Sequence, residues 1–349
     1  MIEGHGNNIY QYQRGAVEAD FSSNVAFNNH SDKILSHLKE RLCAIKNYPD
    51  PSATKLRTLI ANDLGIEAKN ILITNGSAEA FYLVAHLLSI ECNKESNNRC
   101  HSAITTPSFS EYEDSCRSHN HQLSFVALQE ILSTPLDDFD SLWLASPNNP
   151  DGYSVRMEDV AHLATKYPKC RIILDRAYNA LSSDSEPLDG ELIDHKAIII
   201  ESFTKLYGVP GIRLGYVVAD ATTIEKLASI RPPWSVNALS LIAGEYIMEH
   251  SEELQPSQEE LIEESCYLQD QISQIEGFTV KKSTTNFFIV EITREEGSAK
   301  ELQQYLLQEH HLLIRDASNF RGLTPRHFRV AAHNREANNR LIEALKRWR

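Results

Sequence analysis

No apolar run in this chain of 349 residues approaches the roughly 20 residues that a membrane-crossing helix requires, so no membrane partner is expected. The first residues, Met1 to Asn8, are polar and hold no apolar stretch. A signal peptide is therefore not expected, and the cytoplasm is the default location. Positive charge is in deficit: 34 Lys and Arg stand against 48 Asp and Glu, a net charge of −14. That balance argues against nucleic acid or an anionic membrane as partner, although a local positive pocket could still bind phosphate. The six cysteines (Cys43, Cys92, Cys100, Cys116, Cys170 and Cys266) form no Cys-x-x-Cys pair and no metal-ligand spacing, which reads as free thiols in a reducing compartment. The paired histidines His119/His121 and His310/His311 lack acid or thiol partners at fixed spacing. They are expected on the surface, and no metal site is expected. Internal repeats, low-complexity tracts and long linkers are also missing.

What is present is an alternation. Apolar runs near 71, 103, 123, 142, 172, 197 and 214 are separated by helical patterns such as Met157 to Tyr167. This predicts an α/β fold with a large domain built on a mostly parallel seven-stranded sheet flanked by helices. From Trp234 the pattern turns long-helical, through 238–250 and then an acidic 252–275 interrupted by Pro256, whose 252–265 part reads as a solvated face. Beyond Gly277, strand-like 278–280, 286–292 and 327–332 alternate with helices at 298–309 and 335–347 and predict a smaller α+β domain. The expected boundaries are 46–248 for the large domain and 249–349 for the small one. In sheets of the predicted kind the ligand site lies at the C-terminal strand ends, where Gly76, Pro107, Asn149, Asp175 and Lys205 all fall.

The chemistry begins with Ser202-Phe-Thr-Lys205, followed eight residues after the lysine by Arg213, in a Gly- and Pro-punctuated turn after an apolar run. A lysine of lowered pKa forms Schiff bases with carbonyl carbon, while Ser and Arg hold a phosphate dianion. The implied partner is an aldehyde-bearing phosphate ester, and pyridoxal 5′-phosphate fits both halves. Arg171-Ile-Ile-Leu-Asp175 reads as a buried strand ending in a carboxylate, the charge partner that a protonated pyridine nitrogen needs. Tyr178 and the amide of Asn149, in Ser-Pro-Asn-Asn149-Pro, are placed to hydrogen-bond the ring oxygen. Ile71-Leu-Ile-Thr74 followed by Asn75-Gly76-Ser77-Ala78 reads as a strand turning into a helix, whose free N–H groups seat a phosphate while Gly76 permits close approach. Phe109 offers an aromatic face to a flat heterocycle.

These segments resemble the aspartate-aminotransferase-like, fold type I pyridoxal-phosphate enzymes, and the resemblance runs over nearly the whole chain. Within that group, His5-Gly-Asn-Asn8, Asp20-Phe-Ser-Ser-Asn24, Asn47-Tyr48-Pro49-Asp50, Ser202-Phe-Thr-Lys205 and Pro233-Trp234-Ser-Val-Asn237 resemble most the threonine-phosphate decarboxylases of cobalamin biosynthesis, and next the histidinol-phosphate aminotransferases. The resemblance implies that Lys205 is the Schiff-base lysine and the acid/base at the substrate's α-carbon. It gives Asp175 to the pyridine nitrogen, Asn149 and Tyr178 to the ring oxygen, and Phe109 to stacking. Ser77, Ala78, Ser202 and Arg213 take the cofactor phosphate, with Tyr48 contributed across a homodimer. Arg329 takes the substrate carboxylate, and His5, Asn24 and His333 lie on the substrate side, with Asn149. Residues 1 to 45 are implied to pack with the small domain.

The chain departs from the pattern at three places. Arg176 stands where relatives commonly carry an acid, and Asn-Pro-Asp151-Gly152 replaces the usual Asn-Pro-Thr-Gly. His333 stands where the decarboxylase relatives are expected to have a second arginine. Three functions stay open at this level: a decarboxylase acting on O-phosphothreonine, an aminotransferase acting on histidinol phosphate or a related amino acid with 2-oxoglutarate, and a catalytically silent binding domain.

Overall fold

The computed structural model describes residues 10, 12, 15–96 and 99–348, apart from the side chains of 95 and 96. Among these described residues thirteen strands follow in chain order: β1 (Ala19–Asp20), β2 (Ile71–Thr74), β3 (His101–Thr106), β4 (Gln122–Ala127), β5 (Ser141–Ala145), β6 (Arg171–Asp175), β7 (Ile198–Ser202), β8 (Gly215–Val218), β9 (Phe278–Lys281), β10 (Phe287–Ile292), β11 (Leu312–Leu313), β12 (Arg315–Asp316) and β13 (His327–Ala331). The seven apolar runs between 71 and 218 form one sheet in the order β2-β8-β7-β6-β5-β3-β4. Only β8 runs against its neighbours in it. The smaller sheet is antiparallel, in the order β12-β13-β10-β9.

The period of two explains why the inner strands of the large sheet read as continuous apolar runs, both of whose faces are covered, whereas the edge strand β4 is only partly buried. Trp143, Ile173, Ile198 and Ile200 face one way, against Phe81, Val84 and Leu88 of helix Gly76–Ser96. Their neighbours Leu142, Leu144, Ile172, Leu174 and Ile199 face the other way, against Val160 and Leu163 of helix Met157–Lys166. The small sheet is covered on one side by Leu268 and Ile272 of helix Gln258–Ser273 and by Leu341 and Leu345 of helix Arg335–Arg347. Among the described residues no helix is long and apolar enough to cross a membrane.

The N-terminal segment is shared between the two parts. β1 pairs with β11, and Ala331 donates its N–H to Phe21 O at 2.9 Å, both in the small lobe. Ile34 and Leu38 of helix Ser31–Glu40 instead pack with Ile71, Ile73 and Phe203 of the large one. The expectation that 252–265 is a solvated face is corrected at Glu264, which is buried and accepts hydrogen bonds from Arg335 Nε at 2.8 Å and Asn338 Nδ2 at 2.9 Å. It joins the two helices that cover the small sheet. The lobes meet where Ser182 bridges Thr285 and Ser183 N–H donates to Thr284 O at 2.9 Å.

One glycine couples this sheet to the site. A Cβ on Gly215, the first residue of β8, would lie 2.8 Å from Glu201 O and 2.9 Å from Ser77 N. Both are main-chain atoms, which cannot swing aside as a side chain can. Gly215→Ala is therefore expected to destabilise the protein by about 1–3 kcal/mol, as overpacking against fixed structure does, and urea unfolding measures it; an unchanged midpoint contradicts the close approach.

Candidate functional site

The parallel strands end at a common level, and a cavity of about 380 Å³ opens there between the lobes. Its walls carry Ser77 and Ala78 from the helix after β2, Phe109 from the segment after β3, and Asn149 from the turn after β5. Asp175 and Tyr178 come from the end of β6, and Ser202 and Lys205 from the end of β7, with Arg213 just before β8. Ser22, Ser23 and Asn24 close it from the N-terminal segment, and Arg315, Asn319, Phe320 and Arg329 from the small lobe. Eleven of the residues expected from the sequence (Ser77, Ala78, Phe109, Asn149, Asp175, Tyr178, Ser202, Lys205, Arg213, Asn24 and Arg329) thus share one cavity.

Two opposed charges set its electrostatics. Burial lowers the pKa of Lys205 to about 8, helped by the charges of Arg329 and Arg213 and opposed by Asp175 and Asp20. Burial pushes the Asp175 carboxyl up, but Tyr112 Oη donates to its Oδ2 at 2.6 Å and Ala177 N–H to its Oδ1 at 2.9 Å, and both bonds favour the ionised form. Tyr112 is itself wholly buried and its phenol is held protonated by burial and by the adjacent carboxylate. The main chain of Lys205 is fixed as well: its carbonyl accepts the N–H of Ala26 at 3.0 Å.

Gly76 adopts φ +74°, and a Cβ there would come within 2.6 Å of Arg213 Nη2. The guanidinium of Arg213 therefore lies directly over the start of helix Gly76–Ser96, where main-chain N–H groups and the positive end of the helix dipole converge. Arg213 holds this place in the left-handed region, φ +53°, with Nη1 donating to Pro210 O at 3.1 Å. Such backbone is costly for a residue with a Cβ and recurs at binding sites. Ser202 Oγ lies 2.9 Å from Thr204 Oγ1 on the same side.

The small lobe contributes two buried guanidinium groups. Arg329 donates from Nη1 to Asn149 Oδ1 at 2.5 Å and from Nη2 to Ser22 O at 2.7 Å. Arg315 donates from Nη2 to Asn319 Oδ1 at 2.7 Å and from Nη1 to Asp316 O. All four acceptors are neutral oxygens. Burial, then the charge of Arg329, lowers the pKa of Arg315 to about 10. The two arginines oppose each other in register, Arg315 on β12 and Arg329 on β13.

Sequence reasoning missed Arg315, Asn319 and Phe320 of this wall, and Tyr112 behind Asp175. A two-residue strand carries no periodicity to betray Arg315, and a tyrosine in a helix resembles core. Several expected residues lie elsewhere. Tyr48 is 82% exposed, its ring 4.9 Å from that of Trp234, and it does not touch the cavity of its own chain. His333 does not line the cavity: its ring packs against Phe21 and Phe27, each at 5.8 Å, because the turn after β13 carries it into the apolar layer behind the site. His5 lies outside the described residues. Arg176 points away from the cavity, forming an ion pair with Glu201 at 3.0 Å and donating to Glu186 O at 2.7 Å.

Two readings of the thiols and imidazoles need amendment. His121 is buried, with Nδ1 2.7 Å from Ser102 Oγ and Nε2 2.8 Å from Ala85 O, so it is a core histidine and not a surface one. Cys92, Cys100 and Asp140 bring their ligating atoms within 4.8 Å of one another, although their spacing in the chain gave no sign of it.

Comparison with known proteins accords with this geometry. The profile of the aminotransferase class I and II family matches residues 19–345. The threonine-phosphate decarboxylase of Salmonella typhimurium is 30% identical over 94% of this chain and 90% of its own. The histidinol-phosphate aminotransferase of Clostridium novyi is 25% identical over 93% of this chain and 90% of its own. The crystal structure of L-threonine-O-3-phosphate decarboxylase from Porphyromonas gingivalis superposes with a TM-score of 0.87 at 32% identity, covering 93% of this chain and 98% of that one. With the strand order, the cavity at the strand ends and a match that spans nearly every residue, the chain belongs to the class I and II aminotransferase family of pyridoxal-phosphate-dependent enzymes.

Proposed function

We propose that this protein is a pyridoxal-phosphate-dependent decarboxylase of L-threonine O-3-phosphate, releasing CO2 and leaving 1-amino-2-propanol O-phosphate for cobalamin assembly. The observation that carries this reading is the pair Arg315 and Arg329: two buried guanidinium groups on one wall, whose hydrogen bonds go to neutral oxygens and not to carboxylates. Such a wall suits a substrate with two anionic groups, a carboxylate and a phosphate ester. Histidinol phosphate has a phosphate but no carboxylate, and would leave one guanidinium unmatched. An aminotransferase remains the second reading, because 2-oxoglutarate also carries two anions.

The residues present fit the cofactor. Arg329 Nε is buried on the cavity wall without a hydrogen-bond partner from the protein, which suits a polar ligand better than an apolar one. Gly76 leaves room beside Arg213 that a side chain would fill. Ser77, Ala78, Ser202 and Arg213 would hold the phosphate, Asp175 the pyridine nitrogen, Asn149 and Tyr178 the ring oxygen, Phe109 the ring face, and Lys205 the aldehyde carbon. Bound there, the cofactor supplies a ring that accepts the electron pair left when a bond to the substrate's α-carbon breaks.

The chain's own residues do the rest. Arg329 holds the carboxylate and Arg315 the phosphate ester, so the α-carbon is fixed between them and Lys205. Tyr112 and Ala177 keep Asp175 ionised against the cost of burial. Lys205 Nζ, whose pKa of about 8 lies near neutrality, gives the α-carbon the proton that replaces the lost carboxylate. Tyr48, with Leu42 and Ile45 also exposed beside it in the chain, would lie at a homodimer boundary and help to hold the cofactor phosphate of the partner's site.

Three outcomes test this. Incubation with O-phospho-L-threonine should release CO2, and Arg315→Met should raise KM by roughly a hundredfold as a charge-assisted contact is lost; glutamate formed from 2-oxoglutarate and histidinol phosphate, without CO2, would move the protein to the second reading. The cofactor-free protein should become more stable as pH rises from about 8 towards 10.5, because there the unfolded chain still binds the Lys205 proton that the folded chain has released. Lys205→Met should flatten that rise in thermal melts; an equal rise in both proteins removes the lysine as its source. Finally, mixing inactive Lys205→Ala with inactive Tyr48→Ala chains should restore part of the activity once subunits exchange, whereas hybrids that form and stay inactive mean that Tyr48 serves no partner site.

A further inference from the structure

We propose that Asp151 is a positioning residue: its ion pair with Lys281 fixes the small-lobe sheet against the turn after β5, and so holds Arg329 where it meets Asn149. The inference rests on the reading of Arg329 as the carboxylate-binding arginine, and it adds to that reading the device that sets the arginine's position.

The device follows from the register of the small sheet. Lys281 on β9 opposes Ile289 on β10, and Ile289 opposes Arg329 on β13. Directly opposed residues of antiparallel strands project from the same face. Lys281 and Arg329 therefore leave one face of one row, two strand spacings or about 10 Å apart. Ile289, between them, packs with Phe320 of the cavity wall, which identifies the face as the one turned to the site.

Both ends of that row are fastened to the same short turn. Arg329 Nη1 donates to Asn149 Oδ1 at 2.5 Å, and Lys281 Nζ donates to Asp151 Oδ2 at 2.6 Å. Beside the joint at Ser182–Thr285 and Ser183–Thr284, these two contacts, set some distance apart, fix the direction in which the row faces the site. The turn is stiff enough to serve as an anchor. The other oxygen of Asp151 accepts from Asn148 Nδ2 at 2.7 Å and from Tyr153 N–H at 3.3 Å, and Asn148 Nδ2 also donates to Pro107 O at 2.8 Å. Next to it Gly152 has φ +69°, and a Cβ there would fall 1.9 Å from Ser283 Oγ, so the lobes touch with no room for a side chain.

The two partners differ in burial in a way that separates their parts. The Asp151 side chain is 1% exposed and that of Lys281 is 46% exposed. A carboxylate so enclosed is costly without its cation, whereas the lysine is a solvated arm that reaches in from the rim. The resemblance implies a Thr at this position, whose hydroxyl carries no charge; the carboxylate of Asp151 supplies the charge that Lys281 meets.

The test uses the cofactor-loaded enzyme with Lys281→Met, Asp151→Asn and the conservative Lys281→Arg, read by kinetics on O-phospho-L-threonine and by hydrogen exchange of segments 148–153 and 327–331. The first two variants should raise KM about tenfold with kcat within about threefold of wild type, since what is lost is the placement of a binding group. Both segments should exchange faster in them, the cofactor's absorbance should be unchanged, and Lys281→Arg should return both readouts most of the way to wild type. Lower thermal stability with KM and exchange as in wild type would overturn the proposal and leave the pair a structural contact. If the unaltered protein does not turn over O-phospho-L-threonine, the functional reading fails by itself and the exchange comparison decides the fastening: faster exchange in Lys281→Met but not in Lys281→Arg supports it, and no difference overturns it.

Discussion

Lys205 sits under opposed forces: burial and two guanidinium groups drive the proton off its amine and win, bringing its pKa to about 8, while Asp175 and Asp20 hold the proton on. The surroundings of Asp175 serve that balance. Asp175 must remain charged although it is buried, and so it is given a phenol and a main-chain N–H. The phenol has to be out of water for the bond to count, and Tyr112 is sealed between Phe81 and Trp143. The core of the large lobe is thus also the insulation of the site.

The two lobes divide the labour by the kind of strand end they offer. In the large sheet, parallel strands all finish at one level, so consecutive crossovers deliver Asn149, Asp175 and Lys205 from β5, β6 and β7 to a single crevice. In the small sheet, antiparallel register does the equivalent work sideways. Arg315 and Arg329 become neighbours because β12 pairs with β13, although fourteen positions separate them in the chain. The first arrangement collects different chemistries around one ring-shaped ligand, and the second lines up like charges for an anionic one.

That difference also explains what the sequence made legible. Strands β2, β5, β6 and β7 of the large sheet are apolar runs buried along most of their length, so their existence and their C-terminal ends can be read from local pattern, and with them Gly76, Asn149, Asp175 and Lys205. Arg315 was not legible because β12 is two residues long and its partner is set by a tertiary pairing. His121 looked solvated within Ser-His-Asn-His, yet Ser102 and the carbonyl of Ala85 supply both of its ring nitrogens with partners, which removes the cost of burying it. Glu264 escaped its acidic surroundings in the same way, through Arg335 and Asn338 on a helix some seventy residues further on. In each case the deciding partner is remote in the chain.

Arg176 shows how a departure from a family pattern can leave the neighbouring chemistry intact. The residue adjoins Asp175, and a cation there would be expected to compete for the carboxylate. Consecutive residues of an extended chain project to opposite sides, however. Asp175 turns to Tyr112 and the cavity, while Arg176 turns to Glu201, Glu186 O and Pro187 O on the far side. Glu201 in turn is pushed up to about 7 by burial, opposed by the arginine it faces. The pair forms a separate buried site behind the first, and the carboxylate that matters keeps its phenol.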